Sequence, residues 1–260
     1  MSKLLEIETL IVLCLGFFIV ATLYSSVGFG GGSSYLALLS LFIASFFAIR
    51  SIALVCNLVV VSGSTYLYFK HGHAKLRDFL PFVLTSIPMA FLGASFRLKE
   101  EVFFIILGCS LIISAVLLAW QTYIGISASE NIKIYPKYFS YVIGAAIGLL
   151  SGVVGIGGGI FLAPVLNHMK WAKSIKIAAL ASFFILVNSI SGLGGLVTAH
   201  TLELPLKETL VLVGAVLLGG QVGIRVSLKR LSPNGIKRIT ALLVFVVGIR
   251  VLLVNGLGLL

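Results

Sequence analysis

Residues 28–33 read GFGGGS and residues 155–160 read GIGGGI, so one glycine-rich motif occurs once in each half of the chain. Glycine runs interrupt helices and leave backbone N–H groups without partners, which is costly inside a bilayer unless the break lines a cavity. Two breaks at matching places in two halves are typical of a duplicated membrane protein whose binding site lies where the breaks meet.

The composition around the two motifs is that of a membrane protein. Of the 260 residues, 59% are hydrophobic and only 10% are charged, and the mean hydropathy is +1.16. A soluble chain of this length could not bury so much apolar surface. The apolar runs have the length of helices and lack the alternation of outer-membrane strands, so the sequence predicts an all-α polytopic membrane protein. No small-residue cleavage site follows the N-terminal run, which we interpret as the first membrane helix and not as a removed signal.

Polar residues divide the apolar sequence into ten segments, five in each half. Their predicted bounds are 8–27, 33–48, 50–69, 78–97, 101–121, 138–152, 160–170, 175–199, 206–228 and 236–257. Because a helix needs about 20 residues to span the hydrocarbon, the segments 33–48, 138–152 and 160–170 are predicted to be short or re-entrant helices beside the glycine breaks. Each half is then a glycine-broken helix pair plus three transmembrane helices, which gives eight to ten membrane segments in all.

The two halves also match away from the glycines. Residues 92–99 (LGASFRLK) resemble residues 222–229 (VGIRVSLK), and Asn57 and Asn188 stand in corresponding helices. We therefore predict a first membrane repeat over 1–126 and a second over 127–260, which together form one integral membrane domain.

The basic residues favour an inverted relation between the repeats. If each glycine break reverses the chain, twelve Lys and Arg residues lie on one side of the membrane and five on the other, the five being Lys3, Arg50, Arg97, Lys99 and Lys207. If each first pair forms one through-going helix, the split is ten against seven. The positive-inside rule favours the first arrangement, with both termini on the non-cytoplasmic side. The break at 28–33 then enters from outside and the break at 152–159 from the cytoplasm.

The helices that follow the breaks indicate an anion site. A helix N-terminus presents free backbone N–H groups and about half a positive charge, so two converging N-termini can hold an anion without a basic side chain. The predicted backbone donors are Gly28, Gly30, Gly31, Gly32, Gly155, Gly157, Gly158 and Gly159. The predicted side-chain ligands are Ser26, Ser33, Ser34, Asn57, Ser182, Asn188 and Gln221, with Ser25 and Ser151 as further hydroxyls. The alternative for each serine is that it packs helices together.

Carboxylates are missing from the deep parts of the predicted segments. Because membrane carboxylates are the usual proton relays and common cation ligands, their absence argues against a cation pump and favours an anionic substrate. A negative cell interior drives an anion outward by about 2.3 kcal/mol per charge per 100 mV, which favours export.

Several other site classes are excluded. His71 and His73 have no third ligand nearby in the sequence, so we predict no metal and no cofactor. The net charge of +11 is assigned to cytoplasmic loops that face anionic lipid and not to nucleic-acid binding. The apolar segments hold no carboxylate pair, metal cluster or activated nucleophile, so an enzyme is not expected.

The second motif and its surroundings resemble a known family. Residues 151–159 (SGVVGIGGG) followed by 163–166 (APVL), the helix 178–195 and the segment 219–252 are similar to the TauE/SafE sulfite exporter family, also called the sulfonate uptake permease family. The resemblance implies transport of sulfite, sulfonates or related sulfur oxyanions across the inner membrane of a prokaryote. It leaves the direction open, since members are assigned to both export and uptake.

The residues and the resemblance lead to one hypothesis, with two alternatives. The hypothesis is a secondary transporter in the bilayer that moves a small anionic substrate by alternating access. The alternatives are an anion channel and a membrane-embedded binding or assembly partner that transports nothing. The sequence leaves the oligomeric state open, a homo-oligomer included.

Overall fold

The computed structural model describes residues 7–26, 30–43, 45–123, 132–227 and 233–259. In these ranges the chain forms ten α-helices and one π-helical turn, and no strand. The first five helices are α1 Ile7–Ser26, α2 Gly32–Leu39, α3 Phe46–Lys70, α4 Leu76–Ser95 and α5 Glu100–Tyr123. The second five are α6 Lys137–Val154, α7 Gly159–His168, α8 Ser174–Thr198, α9 Leu206–Ser227 and α10 Pro233–Arg250, and the π-helical turn Val251–Gly256 follows.

Seven of the described helices are long and apolar enough to cross a membrane, namely α1, α3, α4, α5, α6, α8 and α9. This confirms the predicted all-α polytopic class. The predicted segments agree with the helices in number and order but differ in some bounds. The segment predicted over 33–48 is the eight-residue helix α2, which ends at Leu39. The segment predicted as a short helix over 138–152 is an 18-residue helix, because it continues to Gly155, whose left-handed backbone (φ 83°) ends it.

A further difference lies at the start of α3, which begins at Phe46 and not at residue 50. Ser45 caps this helix, since its hydroxyl accepts a hydrogen bond from the Ala48 N–H. The earlier start places Arg50 one turn inside α3, where it is fully buried. The predicted segment 50–69 makes Arg50 the first residue of its helix, whereas the structure buries it one turn inside.

Packing between the helices repeats from one half to the other. Helix α1 packs on α9 as α6 packs on α4, and α2 contacts α3 as α7 contacts α8. The pairs α3–α8 and α5–α10 join equivalent helices of the two halves. Among the seven candidate spans, α3 and α8 are the most buried, at 67% and 56%, and α5 follows at 50%. The two short helices that follow the glycine breaks are thus held against the central pair α3–α8.

Glycines bring α4 and α6 into close contact. Gly144, Gly148 and Gly152 occur at every fourth residue of α6 and face the α4 backbone. A methyl group at Gly148 would lie 2.6 Å from Cα and 2.7 Å from the carbonyl oxygen of Ser86. Such small residues let helix backbones approach in a bilayer, where apolar burial gives little drive for helix association.

We expect Gly148→Ala to destabilise the protein by about 1–3 kcal/mol, because the added methyl group forces α4 and α6 apart. Gly214→Ala in α9 is the matched control, since a methyl group there meets nothing within 4 Å. Thermal unfolding in detergent should show a lower midpoint for the first variant and an unchanged or higher one for the second. Equal midpoints would contradict the close approach of the two helices.

Candidate functional site

The second tip, residues 155–158, joins α6 to α7. Gly155, Gly157 and Gly158 all have positive φ angles of 83–84°, a conformation that glycine adopts without steric cost. Gly158 precedes α7 as its N-cap, and residues 154–164 are buried. The G-x-G-G pattern of this motif is therefore explained by the backbone, since three of its four residues adopt the left-handed conformation.

The first tip, residues 30–34, leads into α2. Gly31 is its N-cap with φ 88°, and residues 30–37 are buried. The Tyr35 ring lies against Gly31 and stacks on Phe17 at 4.6 Å between ring centroids. Gly28, a predicted backbone donor, lies outside the described residues.

The two tips meet at Asn57, in the middle of α3. The Asn57 Nδ2 donates a hydrogen bond to the Ile156 carbonyl oxygen at 2.9 Å, which ties α3 to the second tip. A methyl group at Gly30 would lie 2.7 Å from Asn57 Oδ1, and one at Gly32 would lie 2.6 Å from the Ile156 oxygen. One at Gly157 would lie 3.2 Å from Asn57 Nδ2. Glycines from both halves thus surround a single amide, and larger residues could not.

Both helices that start at the tips have uncapped N-termini. The N-cap residue is a glycine in both, Gly31 in α2 and Gly158 in α7, so neither cap residue supplies a side-chain acceptor for the first-turn N–H groups. Each N-terminus carries about half a positive charge, and the groups are buried away from solvent. A buried helix N-terminus without a side-chain cap suits an anion, which can accept hydrogen bonds from its first-turn N–H groups.

Several buried polar side chains, including four that contact the tip glycines, also lack partners. The described part of the chain offers no hydrogen-bond partner to Asn57 Oδ1, to either amide atom of Asn188, or to the hydroxyls of Tyr35, Ser151 and Ser189. Ser189 Oγ would be 3.2 Å from a methyl group at Gly157, and Ser151 Cβ would be 3.1 Å from one at Gly158. All five residues are buried. Ser151 and Ser189 therefore place hydroxyls next to the second tip, and both hydroxyls remain free to donate to a ligand.

Other predicted ligands make hydrogen bonds within the protein. Ser33 and Ser34 both contact the Tyr24 hydroxyl, at 3.4 and 2.8 Å between oxygens, which fastens α2 to α1. Ser182 donates to the Ala178 carbonyl oxygen at 3.0 Å, one turn earlier in its own helix. A serine hydroxyl keeps acceptor capacity after one such bond. These hydroxyls therefore have a packing role in the structure as it stands.

Two predicted residues lie apart from this cluster, and the side chain of a third is outside the described part of the chain. Gln221 is exposed on α9. Ser26 is the last residue of α1, and its side chain is outside the described part of the chain. Gly159 begins α7 behind the tip, with Ile185 and the Ala181 carbonyl oxygen as its neighbours.

Sequence reasoning missed three polar residues close to the tips, namely Tyr35, Arg50 and Ser189. A methyl group at Gly155 would lie 3.3 Å from both Cβ and Cγ of Arg50. In the sequence, Arg50 stands beside an apolar run and has no acidic residue nearby, and this pattern could have identified it as a buried cation. Ser189 directly follows Asn188, but one serine in a helix of small residues carries no signal of its own.

Comparison with known proteins places these features in a family context. The family described as sulfite exporter TauE/SafE matches residues 13–251. A "probable membrane transporter protein y4hK" of Sinorhizobium fredii is 33% identical over 242 residues, which cover 92% of this chain and 97% of the relative. No solved structure matches the chain.

Two more distant relatives have similar descriptions. A "probable membrane transporter protein" of Haemophilus influenzae is 26% identical over 174 residues, covering 63% of this chain and 65% of the relative. The protein MJ0441 of Methanocaldococcus jannaschii, also described as a probable membrane transporter, is 27% identical over 256 residues, covering 91% and 92%.

Proposed function

Because this chain belongs to the TauE/SafE sulfite exporter family, we propose that it is a secondary transporter for a small sulfur oxyanion of the sulfite or sulfonate class. Membership of the family makes the chain a multi-pass membrane transporter and not an enzyme. The oxyanion, the inner membrane as its location and export as the favoured direction are our proposals.

The observation that carries the proposal is the meeting of two uncapped helix N-termini at Asn57. An anion between the tips would accept hydrogen bonds from the first turns of α2 and α7 and from Asn188, Ser151 and Ser189. The side-chain polar atoms of Asn188, Ser151 and Ser189 are buried and lack partners among the described residues. The glycine N-caps of α2 and α7 supply no side-chain acceptor. Oxygen atoms on a compact, negatively charged centre supply the several acceptors that such a set of donors needs.

The charges near the site support an anion over a cation. Within the described residues, the one ion pair joins Lys176 and Asp78, whose side chains are 35% and 36% exposed. Among the described residues, the side chains nearest to the tip glycines include the amide of Asn57 and the hydroxyls of Tyr35 and Ser189, and none of these nearest atoms belongs to a carboxylate. A cation held here would meet the positive ends of two helices.

For the transport cycle we propose two inverted repeats, 1–126 and 127–260, that rock against each other around the site. The repeated packing of α1–α5 and α6–α10 supports a duplication of this size. The distribution of basic loop residues supports the inverted orientation, with both termini on the non-cytoplasmic side. Arg50 is buried inside α3, and leaving it out of the charge count lowers the smaller side from five basic residues to four, which further supports that preference.

The test is a flux panel with sulfite, thiosulfate and taurine in proteoliposomes under an imposed membrane potential. We expect saturable, potential-dependent flux of at least one substrate, because a carrier with one site is limited by its turnover. Protein-free liposomes are the control for leakage of the anions.

Two outcomes would contradict the proposal and favour one of its alternatives. Flux that rises without saturation through millimolar substrate indicates an anion channel. No potential-dependent flux above protein-free liposomes for any of the three substrates would remove the anion-transport claim and favour a non-transporting assembly partner.

A further inference from the structure

Arg50 is a fully buried cation with most of its donors unused. Its side chain has 0% exposure, and its NH2 group donates to the carbonyl oxygens of Gly152 at 2.9 Å and Ala94 at 3.3 Å. The Nε and NH1 groups have no hydrogen-bond partner within the described residues. Three N–H groups of the guanidinium are therefore left for another acceptor.

The surroundings of Arg50 balance its charge only in part. Within the described ranges, no carboxylate lies within ion-pair distance of the guanidinium. Its two acceptors belong to the last turns of α4 and α6, where the carbonyl groups are unpaired and carry partial negative charge. The Phe103 ring lies 5.7 Å from the Arg50 Cζ and offers a weak further attraction. These contacts hold the side chain in place but leave a strong site for a negative charge.

Arg50 also lies next to the proposed transport site. Its stem contacts the second tip, since a methyl group at Gly155 would be 3.3 Å from its Cβ and Cγ. Asn57 follows seven residues later on α3, which is two helical turns, or about 10 Å, along the same helix face. The second tip thus runs along α3 from the buried charge at Arg50 to the amide at Asn57.

We propose that Arg50 is a charged ligand of the transported oxyanion, bound through its free Nε and NH1 donors. This inference rests on the proposed function and narrows its substrate class. The helix N-termini supply only partial charges, whereas Arg50 supplies a full one that a net-negative substrate neutralises. A sulfite or alkylsulfonate anion should then be preferred to taurine, whose ammonium group cancels the charge of its sulfonate.

The first test compares Arg50→Gln and Arg50→Lys with wild type in the sulfite flux assay. Loss of charge-assisted hydrogen bonds should raise the KM for sulfite by at least about tenfold in Arg50→Gln, with a smaller rise in Arg50→Lys, which keeps the charge. The preference for sulfite over taurine should shrink in Arg50→Gln. A role limited to holding α4 and α6 would lower thermal stability without changing that preference.

Arg97 provides the matched control. Its guanidinium also bonds a helix-end carbonyl, Ala199 O, at 3.1 Å from Nε, but it is exposed. Arg97→Gln should leave the KM unchanged. An Arg50→Gln protein that folds and has a KM within twofold of wild type would overturn the inference while wild-type flux still upholds the proposed function. Absent wild-type flux would instead overturn the proposed function.

A second measurement needs no substitution, should both variants fail to fold. In wild-type protein labelled with 15N-arginine, the Nε–H signal of Arg50 should exchange slowly with solvent because the group is buried. Titration with sulfite should shift this slowly exchanging signal, and titration with taurine should shift it less. If sulfite at saturating flux concentrations shifts no protected arginine signal, Arg50 is not a ligand.

Discussion

Asn57→Asp is expected to abolish sulfite flux, with a loss of at least about 100-fold. The substitution keeps the size of the side chain but places a carboxylate between two helix N-termini, where it occupies the place proposed for the substrate. It also turns the hydrogen bond from Nδ2 to the Ile156 oxygen, 2.9 Å long, into a contact between two acceptors. The measurement is sulfite flux in proteoliposomes, with protein amounts matched by size-exclusion chromatography.

Two further variants separate charge from structure in this prediction. Asn167→Asp makes the same change near the end of α7, away from the tips, and should transport like wild type. Asn57→Ala removes the amide without adding charge and should keep a reduced but measurable flux. Wild-type flux in a folded Asn57→Asp protein, or equal losses in the aspartate and alanine variants, would argue against an anion at this position.

Gly157→Ala is expected to reduce flux by more than about tenfold, because the tip must move for the methyl group to fit. At this position the group would lie 2.7 Å from Ile185 Cγ2 and 3.2 Å from both Asn57 Nδ2 and Ser189 Oγ. Sulfite flux and the thermal midpoint are measured together, so that a displaced tip is distinguished from a misfolded protein.

Gly72→Ala is the control for backbone strain. Gly72 has φ +70° in the turn after α3, close to the φ +84° of Gly157, but a methyl group there meets nothing within 4 Å. Both variants bear a left-handed alanine, which costs about 1–2 kcal/mol, and only Gly157→Ala disturbs the site. Equal flux in the two variants would mean that the second tip tolerates displacement and does not hold the substrate.

Sequence patterns predicted the helices and the breaks because both depend on local properties. Apolar runs of fixed length specify membrane helices, and a G-x-G-G stretch specifies a backbone that other residues resist. The structure then brings together Asn57, Gly30, Gly32 and Gly157, all of them predicted site residues. The repeated glycine motif allowed this prediction, since matching breaks in two halves indicate a common meeting point.

The rest of the site depends on contacts between distant parts of the chain. Arg50 is buried because carbonyl oxygens 44 and 102 residues away in the sequence accept its hydrogen bonds. No local sequence pattern indicates those acceptors. Gln221 is exposed because α9 turns the opposite face toward α1, where Gly219 and Gly223 lie against the α1 backbone. The side of a helix that faces inward follows from the packing of small residues, which a hydropathy plot does not distinguish.

The hydrogen bond from Asn57 to Ile156 has a consequence for turnover. It joins the first half of the chain to the second, so a cycle in which the halves rock must break and re-form it each time. A neutral hydrogen bond contributes about 1 kcal/mol, and each 1.36 kcal/mol added to a barrier slows a step tenfold. The bond is thus weak enough to be crossed quickly, yet a tighter contact at this point would trap the carrier in one state and lower its maximum rate.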